Sequence, residues 1–186
     1  MRYTKDHKEQ TRERIINAAA NLFKEDGINA VGIATIMKSA ELTNGAFYAH
    51  FESKQALVEA VISEELKHQL QTFAGAPHNK AGLQLIINAY LSTEHRNSCA
   101  DGCPSAALIG DITKLHNKAK AIYASGLQDV TEQIEQRISS QKTNTAYGIF
   151  GLLIGTLQLA RGVSDQAESE RILASGRQAA MQLAGV

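Results

Sequence analysis

The chain has 186 residues, with 19 basic and 19 acidic side chains and no formal net charge at neutral pH, which excludes attachment to nucleic acid by bulk basicity. No apolar run reaches the length of a membrane span and the N-terminus MRYTKDHKEQTRERI is charged throughout, so no spanning helix or secretory leader is expected and the chain reads as cytoplasmic. Proline occurs only at Pro77 and Pro104, alternating β-branched runs are missing and apolar residues recur at spacings of three and four, so the expected class is all-α with about nine helices.

The first helix, from about residue 10 to 26, carries an apolar stripe of Ile15, Ile16, Ala19, Leu22 and Phe23 and is ended by Gly27. Ahead of it and in its first turns Arg2, Lys5, Lys8, Arg12 and Arg14 are interleaved with Asp6, Glu9 and Glu13, and residues 1–8 can also be described as a disordered basic tail. Screening confines each charge to about 10 Å at moderate salt, so this end gives modest non-specific attraction to DNA.

Residues 32–54, GIATIMKSAELTNGAFYAHFESK, read as a helix-turn-helix. Ile33, Ile36, Met37 and Ala40 recur at helical spacing, Ala40 and Leu42 supply the small or apolar contact between helices, and Thr43 caps a second short helix carrying Phe47, Tyr48 and Phe51. Thr43, Asn44, Gly45 and Ala46 form its polar leading face. Gly32 caps the first of the pair without a side-chain oxygen. Glu41 stands where such turns often hold glycine, which predicts a turn without positive φ.

The long first helix, the Phe47-Tyr48-x-His50-Phe51 run and the following Ser53-Lys54 resemble the TetR family of bacterial transcriptional repressors over residues 11–66. The resemblance implies a helix-turn-helix head, residues 1–52, and a helical ligand-binding and dimerisation body, residues 53–186. It places Thr43, Tyr48 and Lys54 on phosphates and Asn44, Gly45 and Ala46 nearest the bases, with His50 in the same DNA-facing run. It also implies double-stranded operator DNA, a second copy of the chain and an unidentified small-molecule effector as partners.

From Ser53 a helix runs through Leu57, Val61 and Leu70 towards Gly75 and Pro77. Leu83, Ile86, Ile87, Tyr90 and Leu91 mark the next helix, which ends in a polar stretch over residues 92–98. After a break at residues 99–104, helical spacing continues from Ser105 to about Ser139, with an interruption near His116 and Asn117. Two last helices are expected over about residues 143–162 and 165–183, with Ser164 or Asp165 capping the second.

The penultimate helix, AYGIFGLLIGTLQLARG, is apolar around most of its circumference, and Gly148, Gly151 and Gly155 recur along it. Each interior glycine costs about 1 kcal/mol against alanine, so close approach of another helix is the expected compensation. By resemblance the last two helices pair with their symmetry mates, with Ile149, Leu152, Leu153, Thr156, Leu157, Ile172 and Leu173 at the interface; a buried central helix in a monomer is the alternative. The middle helices by the same resemblance enclose a ligand cavity. Its candidate lining is Phe73, Tyr90, Leu91 and Cys103, followed by Ile109, Ile112, Tyr123 and Phe150, each equally readable as plain core. Only 5% of residues are aromatic and none is tryptophan, which disfavours an aromatic cage for a cation.

Cys99 and Cys103 share one break, and Pro104 suits the first position of the next helix. Cys103 then caps that helix, where free amides and the dipole favour a thiolate and hence an electrophile or oxidant sensor, with Cys99 as resolving partner. Cys103 can equally pack as a small apolar residue. His95, Cys99 and Cys103 are spaced by four, but Gly102 and Pro104 interrupt the helix a metal set would need, so neither metal nor cofactor is expected. The expected function is a homodimeric repressor released from a palindromic operator by ligand or by modification of Cys103, through movement of the helix over residues 53–73; the alternatives are a cytoplasmic thiol-dependent helical enzyme and a helical interaction protein.

Overall fold

The computed structural model describes residues 2–138 and 145–186, and side chains from residue 7 onward. Among the described residues there are nine α-helices and one 3₁₀ helix and no strand. The helices are α1 (Arg2–Asp26), α2 (Ile33–Ser39), the 3₁₀ helix (Asn44–Ala49), α3 (Lys54–Ala74), α4 (Lys80–Tyr90), α5 (Thr93–Asn97), α6 (Pro104–Ile112), α7 (Asn117–Glu135), α8 (Thr145–Arg161) and α9 (Gln166–Ala184). None is long and apolar enough to cross a membrane.

Helix α1 starts at Arg2, ahead of the expected residue 10, and residues 2–8 belong to it. It stops at Gly27, whose φ of 86° is the left-handed conformation that glycine tolerates. Its stripe is buried at Ile15, Ile16, Ala19 and Phe23, while Leu22 is partly exposed at the margin.

The turn after α2 differs from expectation. Glu41 has a φ of 55°, so the turn does use a positive φ, and the absence of glycine did not forbid it. The Leu42 amide donates to Met37 O at 2.8 Å and the Glu41 amide to Lys38 O at 3.0 Å, the double closure of a helix end that needs one left-handed residue. Arg14 secures the turn by donating from Nη2 to Ala40 O at 2.6 Å. Thr43 precedes the 3₁₀ helix in extended conformation but its side chain makes no capping bond.

Two hydrophobic cores share α3. Leu57, Val58, Val61, Ile62 and Leu66 join the stripe of α1, the helix-turn-helix, and Leu108, Ile112, Ala119 and Tyr123 from α6 and α7. Phe73, at the far end of α3, belongs to a second core with α4, α8 and α9. Ser53 accepts from the Ala56 amide at 3.1 Å and fixes where α3 begins.

Helix α5 was not expected, because five residues are too few to show a period. Ser92 Oγ accepts from the His95 amide at 3.1 Å and caps it. The interruption near His116 is confirmed, since His116 is the N-cap of α7, and Asp165 caps α9 by accepting from the Glu168 amide at 2.7 Å. The expected helix ends at Ser139 and residue 143 lie outside the described residues.

Arg137, just past α7, is 2% exposed. Its guanidinium donates to Phe73 O at 3.0 Å, Ala76 O at 2.6 Å and Pro77 O at 2.9 Å, so one cation collects carbonyls from the last turn of α3 and the connection after it. Arg137→Ala strands these acceptors and is expected to lower stability by about 2–4 kcal/mol in urea unfolding followed by circular dichroism, whereas a loss under about 1 kcal/mol would show that water replaces the guanidinium freely.

Candidate functional site

The exposed end of the head is built on an aromatic anchor. Phe47 is fully buried, with Phe51 5.8 Å away and Tyr48 edge-on at 5.2 Å between ring centroids. Because the 3₁₀ helix buries Phe47, its neighbour Tyr48 faces outward and is 69% exposed, beside exposed Thr43, Asn44 and Gly45 and partly exposed Ala46. Arg12 lies over the Phe51 ring at 4.9 Å. His50 is half-buried, its Nδ1 unpartnered, and burial with nearby Lys8 and Arg12 holds it below the ordinary histidine range. Lys54, expected on a phosphate, turns inward: Nζ donates to Ile28 O at 2.6 Å above the Phe23 ring.

The end of α1 is tied to the body at three points. Lys24 Nζ pairs with Glu65 Oε2 at 2.6 Å, both side chains largely buried. The Cys99 thiol donates to Lys24 O at 3.1 Å, and Asp111 Oδ2 accepts from the Ile28 amide at 2.8 Å.

Behind this joint, α3, α4 and residues 101–104 enclose a cavity of about 330 Å³. Helix α3 contributes Glu65, His68, Gln69, Thr72 and Phe73, the connection after it Ala76, and α4 contributes Leu85, Ile86, Ala89 and Tyr90. Cys103 forms part of the wall and is 6% exposed. It is the N-cap of α6 with Pro104 in the first position, as expected. Gln69 Nε2 donates to Cys103 Sγ at 3.1 Å, and the Cys103 amide donates to His95 Nε2 at 3.0 Å. Since Nε2 accepts, the His95 proton is on Nδ1, which donates to Tyr90 O at 2.7 Å. His95 is therefore a neutral clip between α4 and α6 and is not free to serve the thiol as a base.

Of the expected lining, Phe73, Tyr90 and Cys103 reach the cavity. Phe150 stands one layer behind, its centroid 6.1 Å from Tyr90. Leu91 is sealed in the second core, Ile109 and Ile112 pack on the head core, and Tyr123 donates to Ser105 Oγ at 3.1 Å; these four do not line it. Gln69, His95, Leu85 and Ile86 were missed. Their signal was weak: Glu65, Gln69 and Thr72 share one face of α3 at helical spacing, but a polar run on one face resembles an ordinary surface margin.

Cys99 and Cys103 are turned to different partners, Lys24 O and Gln69, so the disulfide expected between them requires both contacts to break. With His95 Nε2 occupied by an amide, His95, Cys99 and Cys103 do not form a ligand set.

The expected interface residues also divide. Ile149, Leu153, Leu157 and Leu173 are closed into the chain's own core, because α8 and α9 pack on each other and on α4. Thr156 faces Gly176 across the α8–α9 contact, where a Cβ would not fit. Leu152 and Ile172 remain partly exposed. The compensation expected at the glycines comes within the chain only at Gly148, where an added Cβ would lie 3.7 Å from Leu183; Gly151 and Gly155 face open space. Tyr147, Leu159 and Leu183 on the same pair of helices are exposed, at 48%, 66% and 48%.

The family of bacterial regulatory proteins named tetR matches residues 15–61 of the chain. The transcriptional regulator UidR of Escherichia coli K12 is 38% identical over 85 residues, which cover 46% of this chain and 43% of UidR. The match therefore spans less than half the length of this relative. The transcriptional repressor NemR of the same strain is 22% identical over 143 residues, covering 72% of this chain and 70% of NemR. The crystal structure of reduced E. coli NemR superposes with a TM-score of 0.77 at 17% identity, covering 93% of this chain and 96% of that one. A TetR-family regulator from Agrobacterium tumefaciens gives 0.74, also at 17% identity, over 92% of this chain and 98% of that one. At such identity the likeness is one of fold.

Burial holds His95 below the ordinary histidine range, opposed in part by its bond to Tyr90 O. A folded-state value below the unfolded one means that folding favours the neutral ring. Its contribution is full above about pH 6.5 and is lost as pH falls through the folded value. Urea-unfolding stability is expected to decline from about pH 7.5 to about pH 5 and His95→Gln to flatten part of that decline. Since His50 has the same sign, the wild-type slope persisting in His95→Gln would assign the effect to His50 and not to the clip.

Proposed function

The chain belongs to the TetR family of bacterial regulatory proteins, and from that premise we propose that it is a homodimeric repressor, released from a palindromic operator by a small molecule in the cavity or by modification of Cys103. The observation that carries this reading is the polar surface of Thr43, Asn44, Gly45 and Tyr48 mounted on a fully buried Phe47, a rigid base for groups that must meet DNA in fixed register. In this reading residues 1–52 are the DNA-binding head and residues 53–186 the effector and dimer body. Thr43 and Tyr48 bind phosphates, and Asn44 to Ala46 approach the bases. Lys54 acts indirectly, by holding Ile28 and thereby the end of α1.

The dimer forms through the outward side of α8 and α9, where Gly148, Gly151 and Gly155 let a second backbone approach and Tyr147, Leu159 and Leu183 supply apolar area. Two heads then meet successive major grooves about 34 Å apart.

Release follows from shared walls. Glu65 lines the cavity and also holds Lys24, and the segment from Cys99 to Cys103 touches Lys24 O at one end and the cavity at the other. An occupant, or a group bonded to Cys103 Sγ after the thiol gives up its proton, displaces these walls and with them the end of α1 and the separation of the heads.

Three measurements test the binding half on an operator selected from random DNA by the purified protein. Two chains are expected per operator by sedimentation. Tyr48→Ala is expected to weaken affinity about tenfold and to reduce the salt slope by about 1, and Asn44→Ala to change sequence preference. A single chain per site, or an unchanged slope and preference in both variants, contradicts the assignment. For release, iodoacetamide is expected to free the operator from wild type and from Cys99→Ser but not from Cys103→Ser; release of Cys103→Ser at the wild-type rate overturns the role of that thiol.

A further inference from the structure

The cavity wall holds two polar groups that make no well-formed hydrogen bond within the chain. The Tyr90 hydroxyl and Gln69 Oε1 are sealed from solvent, the hydroxyl having only a loose contact with the Cys103 thiol, and the two residues are 5% and 6% exposed. Both belong to the wall, Tyr90 from α4 and Gln69 from α3, and both neighbour the Cys103 thiol, Gln69 through the 3.1 Å bond to Sγ. Buried polar atoms without partners are rare because each forfeits its bonds to water. Two of them in the walls of one cavity, on helices that face each other across it, point to a ligand group that completes them.

The rest of the wall defines the remainder of the ligand. Phe73, Ile86, Ala89 and Leu85 are apolar. The Glu65 carboxylate is consumed by Lys24, and His95 is neutral with both ring nitrogens engaged. Arg161, which lies close to Tyr90, donates to His95 O at 2.8 Å and Arg96 O at 3.0 Å and is not part of the wall. Among the described lining residues there is no lysine or arginine to meet a carboxylate or phosphate, and the remaining ionisable groups, His68 and Asp101, sit at the exposed rim.

We infer that the cavity takes a neutral, mainly apolar molecule bearing one group that both donates and accepts a hydrogen bond, a hydroxyl being the smallest, held between Tyr90 Oη and the free amide atom of Gln69. The choice of a hydroxyl does not depend on which way the Gln69 amide is turned. With Oε1 free the hydroxyl donates to Gln69 and accepts from Tyr90; with Nε2 free it accepts from Gln69 and donates to Tyr90. A carboxylate only accepts, so it leaves Gln69 Oε1 unsatisfied in the first arrangement and in the second would be buried with no cation in the wall to balance its charge; a hydrocarbon can do neither. This deepens the proposal that the cavity is the effector site and rests on it for regulatory meaning, but not for binding.

The test uses benzyl alcohol, toluene and benzoate, three probes of one shape, titrated into the full chain by calorimetry. Benzyl alcohol is expected to bind about tenfold or more tightly than toluene, the worth of the added hydrogen bonds, and benzoate to show no binding. Tyr90→Phe combined with Gln69→Leu is expected to bring benzyl alcohol down to the affinity of toluene and leave toluene unchanged. Each substitution keeps the approximate volume, and the wild-type comparison stands without them. Equal affinity of benzyl alcohol and toluene in wild type, binding of benzoate as tight as that of the alcohol, no binding of any of the three, or an alcohol preference that survives the double substitution overturns the inference. Operator affinity is measured separately with benzyl alcohol present. Selective binding of the alcohol with no effect on DNA upholds the ligand class while the effector reading fails.

Discussion

The last turn of α1 ends between the helix-turn-helix and a helical body, and its polar groups have to be satisfied by that body. Lys24 is 7% exposed and depends on Glu65 of α3 for its charge. Removing one partner of such a buried pair costs about 3–5 kcal/mol, while the pair itself adds little net stability over apolar packing. Its effect is therefore geometric. Together with Asp111 on the Ile28 amide and Cys99 on Lys24 O, it fixes where α1 can end, and α1 in turn covers the helix-turn-helix. A head held by a few directional bonds to three separate body segments is placed firmly yet responds to any one of them moving.

Those same segments wall the cavity. Glu65 and Gln69 lie one turn apart on α3, the first reaching the head and the second the Cys103 thiol. Cys99 and Cys103 bracket one short connection, the first on the head and the second on the cavity. No long path separates them, because the cavity and the joint are two sides of one layer of residues. His95 adds stiffness by tying the end of α4 to the start of α6 through both ring nitrogens. Tyr90, at the other end of that clip, is buried against Phe73 and Phe150, and this burial, with the Cys103 thiol beside it, pushes its hydroxyl well above the ordinary tyrosine range, so it stays a proton donor at any working pH.

Helices α8 and α9 face two ways. Their inner residues complete the second core, with Gly176 admitting Thr156 across the pair, and their outer residues leave glycine and aromatic surface open. Helix α8 is apolar around most of its circumference, and the folded chain covers only one side of it.

The sequence by itself determined the helical class, most of the helix limits and the location of the exposed polar surface around Tyr48. These follow from local rules of apolar period, caps such as Ser53, Asn79 and Asp165, the stop at Gly27, and the aromatic run that buries Phe47 and so exposes Tyr48. It also placed Cys103 at a helix cap, since Pro104 fixes that position by backbone chemistry alone. Only the tertiary structure decided which apolar residues line the cavity and which fill the cores, that Lys54 turns to Ile28 and not outward, and that Ile149, Leu153, Leu157 and Leu173 face inward. It also decided the left-handed turn at Glu41, which is held by closure bonds and by Arg14 from a distant helix. The reason is common to all of these. A residue's period fixes the side of its helix on which it lies, but what that side meets is set by helices far away in the chain, and no local rule carries that information.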